Sequence, residues 1–113
     1  MRPIGFPEYD DIAVAILALL VARGGADGSL RPKDTYDPLA DFFRLSKEQR
    51  LRPGSDGRPG SSAWENVVQW TRQRLINQGM LDGSTRGVWS ITAHGRSRAL
   101  GSKALSFFQG TQP

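Results

Sequence analysis

The sequence predicts a mainly helical α+β fold, a winged helix-turn-helix with a small antiparallel sheet. Three observations lead there. An apolar helical period fills residues 9–23, and a second helical period with one polar face fills residues 63–78. A glycine-bracketed hairpin pattern at residues 80–92 follows the second period directly. The 113 residues fit a single domain, 1–113, that can bury one modest core. Hydrophobic residues make up 38% and charged residues 23%, the balance of an ordinary globular chain rather than a disordered one.

The elements follow in order. Met1–Pro7 holds two prolines and reads as an irregular lead-in; residues 1–8 are expected to be irregular. Tyr9–Arg23 is the first helix, with Ile12, Ile16, Leu19 and Leu20 at helical spacing, and Gly24-Gly25 ends it. Ser29-Leu30-Arg31 reads as a short extended segment, and Pro32 suits the first turn of a second helix. Pro38 lies inside that helix and predicts a kink or a restart there. Ser46 and Gln49 have capping-box spacing for a short turn through Arg50. Residues 52–62 hold two Pro-Gly pairs and read as an exposed, flexible, basic loop.

Ser62 caps the helix Ala63–Gln78, which Gly79 ends. Trp64, Val67, Val68, Thr71, Leu75 and Gln78 fall on one side of it, with Arg72 and Trp70 at the margins. Residues 80–82 and 88–91 are two strands joined by Gly83-Ser84-Thr85-Arg86-Gly87, and Val88, Ser90 and Thr92 alternate with Trp89 and Ile91. Thr92 caps a last helix over about residues 93–105. Residues 106–113 are expected to be irregular unless Phe107 and Phe108 dock.

Composition excludes several chemistries. The chain has no cysteine, so disulfides, thiolate zinc and cysteine nucleophiles drop out together, and a reducing cytoplasm suits it. His94 is the single histidine, and no clustered carboxylates accompany it, so neither a metal nor another cofactor is expected. No nucleophile has a base beside it, so the expectation is a chain without catalytic residues. Ile12–Val21 is too short to span a bilayer, and acids precede it where a signal peptide needs bases. No membrane partner is expected.

Charge is unevenly distributed. Residues 1–43 carry four basic against seven acidic side chains, a net of −3. Residues 44–113 carry eleven against four, a net of +7. A basic second part suits a polyanion. On the helix before the hairpin, Asn66, Gln69 and Gln73 form one amide stripe. Amides can both donate to and accept from adenine N7 and N6, and Arg72 at the margin suits guanine or a phosphate. These four residues are the expected base readers, with helix 63–78 in the major groove. Arg50, Arg52, Arg58, Ser62, Thr85 and Arg86 are the expected backbone contacts, with the 80–92 hairpin as the wing.

Residues 66–75, Asn-Val-Val-Gln-Trp-Thr-Arg-Gln-Arg-Leu, followed by Gly79-Met80-Leu81, resemble the third helix of the N-terminal domain of Mrr-type restriction endonucleases. The resemblance continues through Arg86-Gly87-Val88-Trp89-Ser90-Ile91-Thr92 to Gly95-Arg96, and upstream through Leu45–Arg50 and Pro53–Ser55. It implies a specificity module for modified DNA in a restriction or defence setting, with any cleavage left to a separate nuclease domain; a longer parent chain and a stand-alone protein both stay open. The expected partner is double-stranded DNA, methylated bases included, and the expected location is the cytoplasm, at the nucleoid. A homodimer stays open. The three tryptophans read as core by spacing; a tryptophan lining a pocket for a methylated or flipped base is an alternative that rests on the resemblance alone. The competing functional reading is a winged helix for protein–protein interaction or transcription regulation, which predicts an exposed apolar patch near Ile76 and Trp70.

Overall fold

The computed structural model describes residues 5–55 and 59–110. Helix α1, Tyr9–Arg23, is buried on every side along its middle: Ile12, Ala13 and the run Ala15–Leu20 are all buried. A helix that is apolar all round must sit inside the others. Gly24 ends it by returning its N–H to the Leu20 carbonyl. A side chain at Gly24 would collide with the backbone of Leu20 and Ser29, so only glycine allows the immediate reversal into the sheet.

Strand β1 is Ser29–Leu30. Pro32 opens a 3-10 turn, Pro32–Asp34, and α2 follows at Tyr36–Phe42. The break expected at Pro38 therefore falls three residues earlier, at Thr35. Thr35 is buried and donates its hydroxyl to the Pro32 carbonyl. Pro38 lies in the first turn of α2, where its missing N–H costs no intrahelical bond. The end of α2 takes a left-handed residue, Arg44 with φ 54°, while Leu45 N–H reaches back to the Ala40 carbonyl. Helix α3, Lys47–Leu51, starts with the expected capping box of Ser46 and Gln49.

The segment after α3 has firmer ends than its composition suggests. Ala63 N–H donates to the Arg52 carbonyl at 2.9 Å and Gly54 N–H to Ser61 at 3.0 Å, and Pro53 bridges Ser62. The expectation of a loop over all of 52–62 is corrected at both ends by this ladder. Helix α4, Ala63–Asn77, follows, capped by Ser62. It stops one residue short of the expected end, with exposed Gln78 as the C-cap and Gly79 at φ 75° turning the chain out.

Strands β2, Leu81–Asp82, and β3, Trp89–Ile91, complete an antiparallel sheet of order β1-β3-β2. Ser29 faces Ser90 and Leu30 faces Trp89 on one side of β3; Leu81 faces Ile91 on the other. The alternation along β3 buries Trp89 and Ile91. This is a mainly helical α+β architecture of winged-helix type.

The last expected helix is two. Helix α5 is Ala93–Ala99 and α6 is Lys103–Gly110, broken at Gly101 with φ 76° and restarted by the Ser102 cap on Leu105 N–H. The expectation of an irregular tail from 106 is corrected for residues 106–110. Phe108 is fully buried, and its ring lies 5.6 Å from that of Phe42, so apolar burial holds this helix against α1 and α2. Gly95 of α5 lies so close to the Met80 carbonyl that any side chain would strike it.

Two truncations test this packing. Phe108→Ala and Trp89→Ala should each lower unfolding free energy by about 3–5 kcal/mol in urea titration. A Phe108→Ala variant with an unchanged midpoint would remove α6 from the cooperative core.

Candidate nucleic-acid interface

Helix α4 divides cleanly. Ala63, Trp64, Val67, Val68, Thr71 and Leu75 are buried, and Gln69, Trp70, Gln73, Arg74 and Asn77 are exposed. Trp64 indole N–H donates to the Tyr36 carbonyl at 3.0 Å, which fixes α4 against the start of α2. The hairpin roots on the same helix. A side chain at Gly83 would meet Ile76 and the Arg72 guanidinium, so the wing leaves the molecule beside the C-terminal half of α4. Asp82 accepts the Ser84 N–H at 2.8 Å and shapes the turn, and this bond holds its carboxyl below the usual carboxylate range. Arg86 is exposed in that turn and forms no hydrogen bond or ion pair with the described residues.

The three stripe amides differ in what they hold. Asn66 donates to Ser61 Oγ at 3.2 Å and thereby secures the ladder before α4. Gln73 donates to Asn77 Oδ1 one turn on, at 3.1 Å. Gln69 donates through Nε2 to the Tyr36 hydroxyl at 2.9 Å, across to α2. Glu65 and Arg72 act on the same hydroxyl electrostatically. Burial raises the Tyr36 pKa above the ordinary tyrosine value, outweighing the Gln69 bond, so the phenol stays protonated at physiological pH. Arg72 lies over the Trp89 ring at 5.7 Å, and its Nε is buried without a hydrogen-bond partner. Trp89 in turn meets the Tyr36 ring edge-on at 6.4 Å.

A family model described as the Mrr N-terminal domain matches residues 9–99. The chain belongs to that family. No curated protein and no solved structure matches it. The Mrr N-terminal domain is a restriction-system-associated module, and a typically non-catalytic one. Among the described residues no three His, Cys, Asp or Glu side chains gather as a metal site, and no helix is long and apolar enough to cross a membrane.

The predicted backbone contacts differ in what they already hold. Ser62 is spent on the α4 cap, and Thr85 is exposed beside Arg86. Arg50 donates to the Leu45 carbonyl at 3.0 Å and pairs with Asp41 at 3.0 Å, so it ties α3 to the end of α2. Arg52 lies over the Phe6 ring at 5.2 Å. Arg58 lies outside the described residues. Asn66, Ser61, Ser62, Glu65 and Gln69 instead share a polar hollow of about 200 Å³ at the start of α4. The residue missed by sequence reasoning is Tyr36, which reads as one more apolar position of α2. Its one available signal was the polar tip that a buried tyrosine must satisfy.

Arg50→Ala should therefore lower stability by about 0.5–1.5 kcal/mol through its lost internal bonds. Its effect on affinity for any polyanion should stay within about twofold, measured by anisotropy at matched salt. A large affinity loss without destabilisation would make Arg50 the phosphate contact that the sequence predicts.

Proposed function

We propose that this domain binds double-stranded DNA as the specificity module of a restriction or defence system. Helix α4 enters the major groove and the β2–β3 hairpin rests on the flanking backbone. The observation that carries the reading is the outer face of α4. It presents Gln69 and Gln73 beside a wing with an unpaired, exposed arginine, in a chain of the Mrr N-terminal domain family. Amides and arginine together suit base edges and phosphates, and the net charge of +7 over residues 44–113 favours a polyanion. Recognition of modified bases rests on the family and extends this reading.

A second reading has one observation in its favour. Trp70 is 48% exposed and Leu51 68% exposed, which would suit a docked protein. Salt dependence separates the two. About four neutralised phosphates give a log–log slope of roughly −3.6. A flat dependence, or no binding to any duplex at low salt, would favour protein docking. Comparison of unmodified, N6-methyladenine and 5-methylcytosine duplexes then tests the finer claim; equal affinities for all three would remove it. Arg86→Ala should weaken every duplex nearly equally, because phosphate contacts carry no sequence information. A loss confined to one sequence would make the wing a base reader.

A further inference from the structure

Gln69 and Tyr36 join two elements that the sequence presents as separate. We infer that Tyr36 is a positioning residue that fixes which end of the Gln69 amide faces the DNA, so that this position of the site selects a base offering an exocyclic amino group. The inference rests on the DNA-binding reading and goes further by naming the base class and the residue that sets it.

Gln69 lies at the middle of the exposed face of α4. An unanchored glutamine amide can turn over and offer either its oxygen or its NH2 to a partner. Here Nε2 is held by the Tyr36 hydroxyl at 2.9 Å. The Oε1 atom has no partner among the described residues.

The Tyr36 hydroxyl is the acceptor of this bond. Glu65 lies one helical turn before Gln69 on the same face and acts on the Tyr36 oxygen. Tyr36 has little freedom to move away. Its carbonyl receives the Trp64 indole, and its ring packs on Trp89.

An outward Oε1 accepts. In the major groove adenine N6 and cytosine N4 donate, whereas guanine O6 and thymine O4 accept. A keto base opposite this atom sets oxygen against oxygen. Removing the Tyr36 hydroxyl frees the amide to turn over and to donate to a keto base.

The test uses the full chain and a preferred duplex in which each position is varied through all four base pairs. Wild type should favour an amino base over a keto base at one position by about tenfold. Tyr36→Phe keeps the ring and should keep the melting temperature and the affinity for the preferred duplex within about twofold, yet reduce that ratio to nearly one. Gln69→Ala should reduce it equally, and the double variant no further. Gln69→Glu, which has an acceptor at both ends, should restore the amino preference in the Tyr36→Phe background. An unchanged ratio in Tyr36→Phe, or losses that multiply in the double variant, overturns the inference while DNA binding stands. Absence of wild-type binding to every duplex at low salt overturns the DNA reading itself.

Discussion

The burial of α1 is the constraint on which the rest depends. Its middle has no exposed side, so every other layer must be arranged around it: α2, α4, α5 and α6 as well as strands β1 and β3 pack on it. Each fully buried Leu or Ile contributes about 1.5–3 kcal/mol against leaving it exposed. Among the described residues no other element is enclosed in this way. The surrounding helices each keep one face in solvent, and the polar face of α4 is one result. Close approach is what the glycines supply. Gly24 lets the chain reverse straight from α1 into the sheet, and Gly95 lets α5 lie against the Met80 carbonyl beside Leu17 of α1.

A second layer of specification comes from polar atoms that reach across elements. Trp64 bonds the Tyr36 carbonyl, Gln69 the Tyr36 hydroxyl, and Arg72 covers the Trp89 ring. These contacts set the relative position of α2, α4 and the wing. A buried, unpartnered Arg72 Nε costs free energy. The cost is tolerable because the rest of the guanidinium gains a cation–π contact with Trp89. Arg72 is therefore a strut between helix and wing as much as a surface cation.

Local rules made much of the fold legible. The α1 boundaries, the Ser46–Gln49 box, the Ser62 and Thr92 caps and the alternation along β3 each follow from a few neighbouring residues. The misreadings occur where a distant contact decides. One helix through 105 with an irregular tail is the local reading unless the phenylalanines dock; Phe108 does find Phe42, sixty-six residues earlier, and the chain breaks at Gly101 into a second helix. Composition alone makes 52–62 a loop, yet its ends pair with each other because α3 and α4 hold them side by side. The site shows the same limit. Helical spacing puts Asn66, Gln69 and Gln73 on one stripe, but nothing in the spacing reveals that Ser61, Tyr36 and Asn77 receive their amide hydrogens. Arg50 has the charge for a phosphate contact, and only the structure pairs it with Asp41.

Those three internal bonds rank the amides by how freely each could meet a ligand. The Gln73–Asn77 bond is an exposed pair one turn apart, worth about 0.2–0.5 kcal/mol, and a competing base edge displaces it at little cost. Asn66 is half-buried, and turning it outward would release Ser61 and loosen the ladder that leads into α4. Gln69 lies between these extremes: it keeps its tertiary anchor while its oxygen remains open. A side chain held at one end has already lost much of the rotamer freedom that binding would otherwise cost. On that argument the stripe is one ordered amide flanked by an adaptable one and a structural one. The Gln69 amide depends on α2 for its orientation, so α2 would help shape the reading surface under the proposed function rather than only support it.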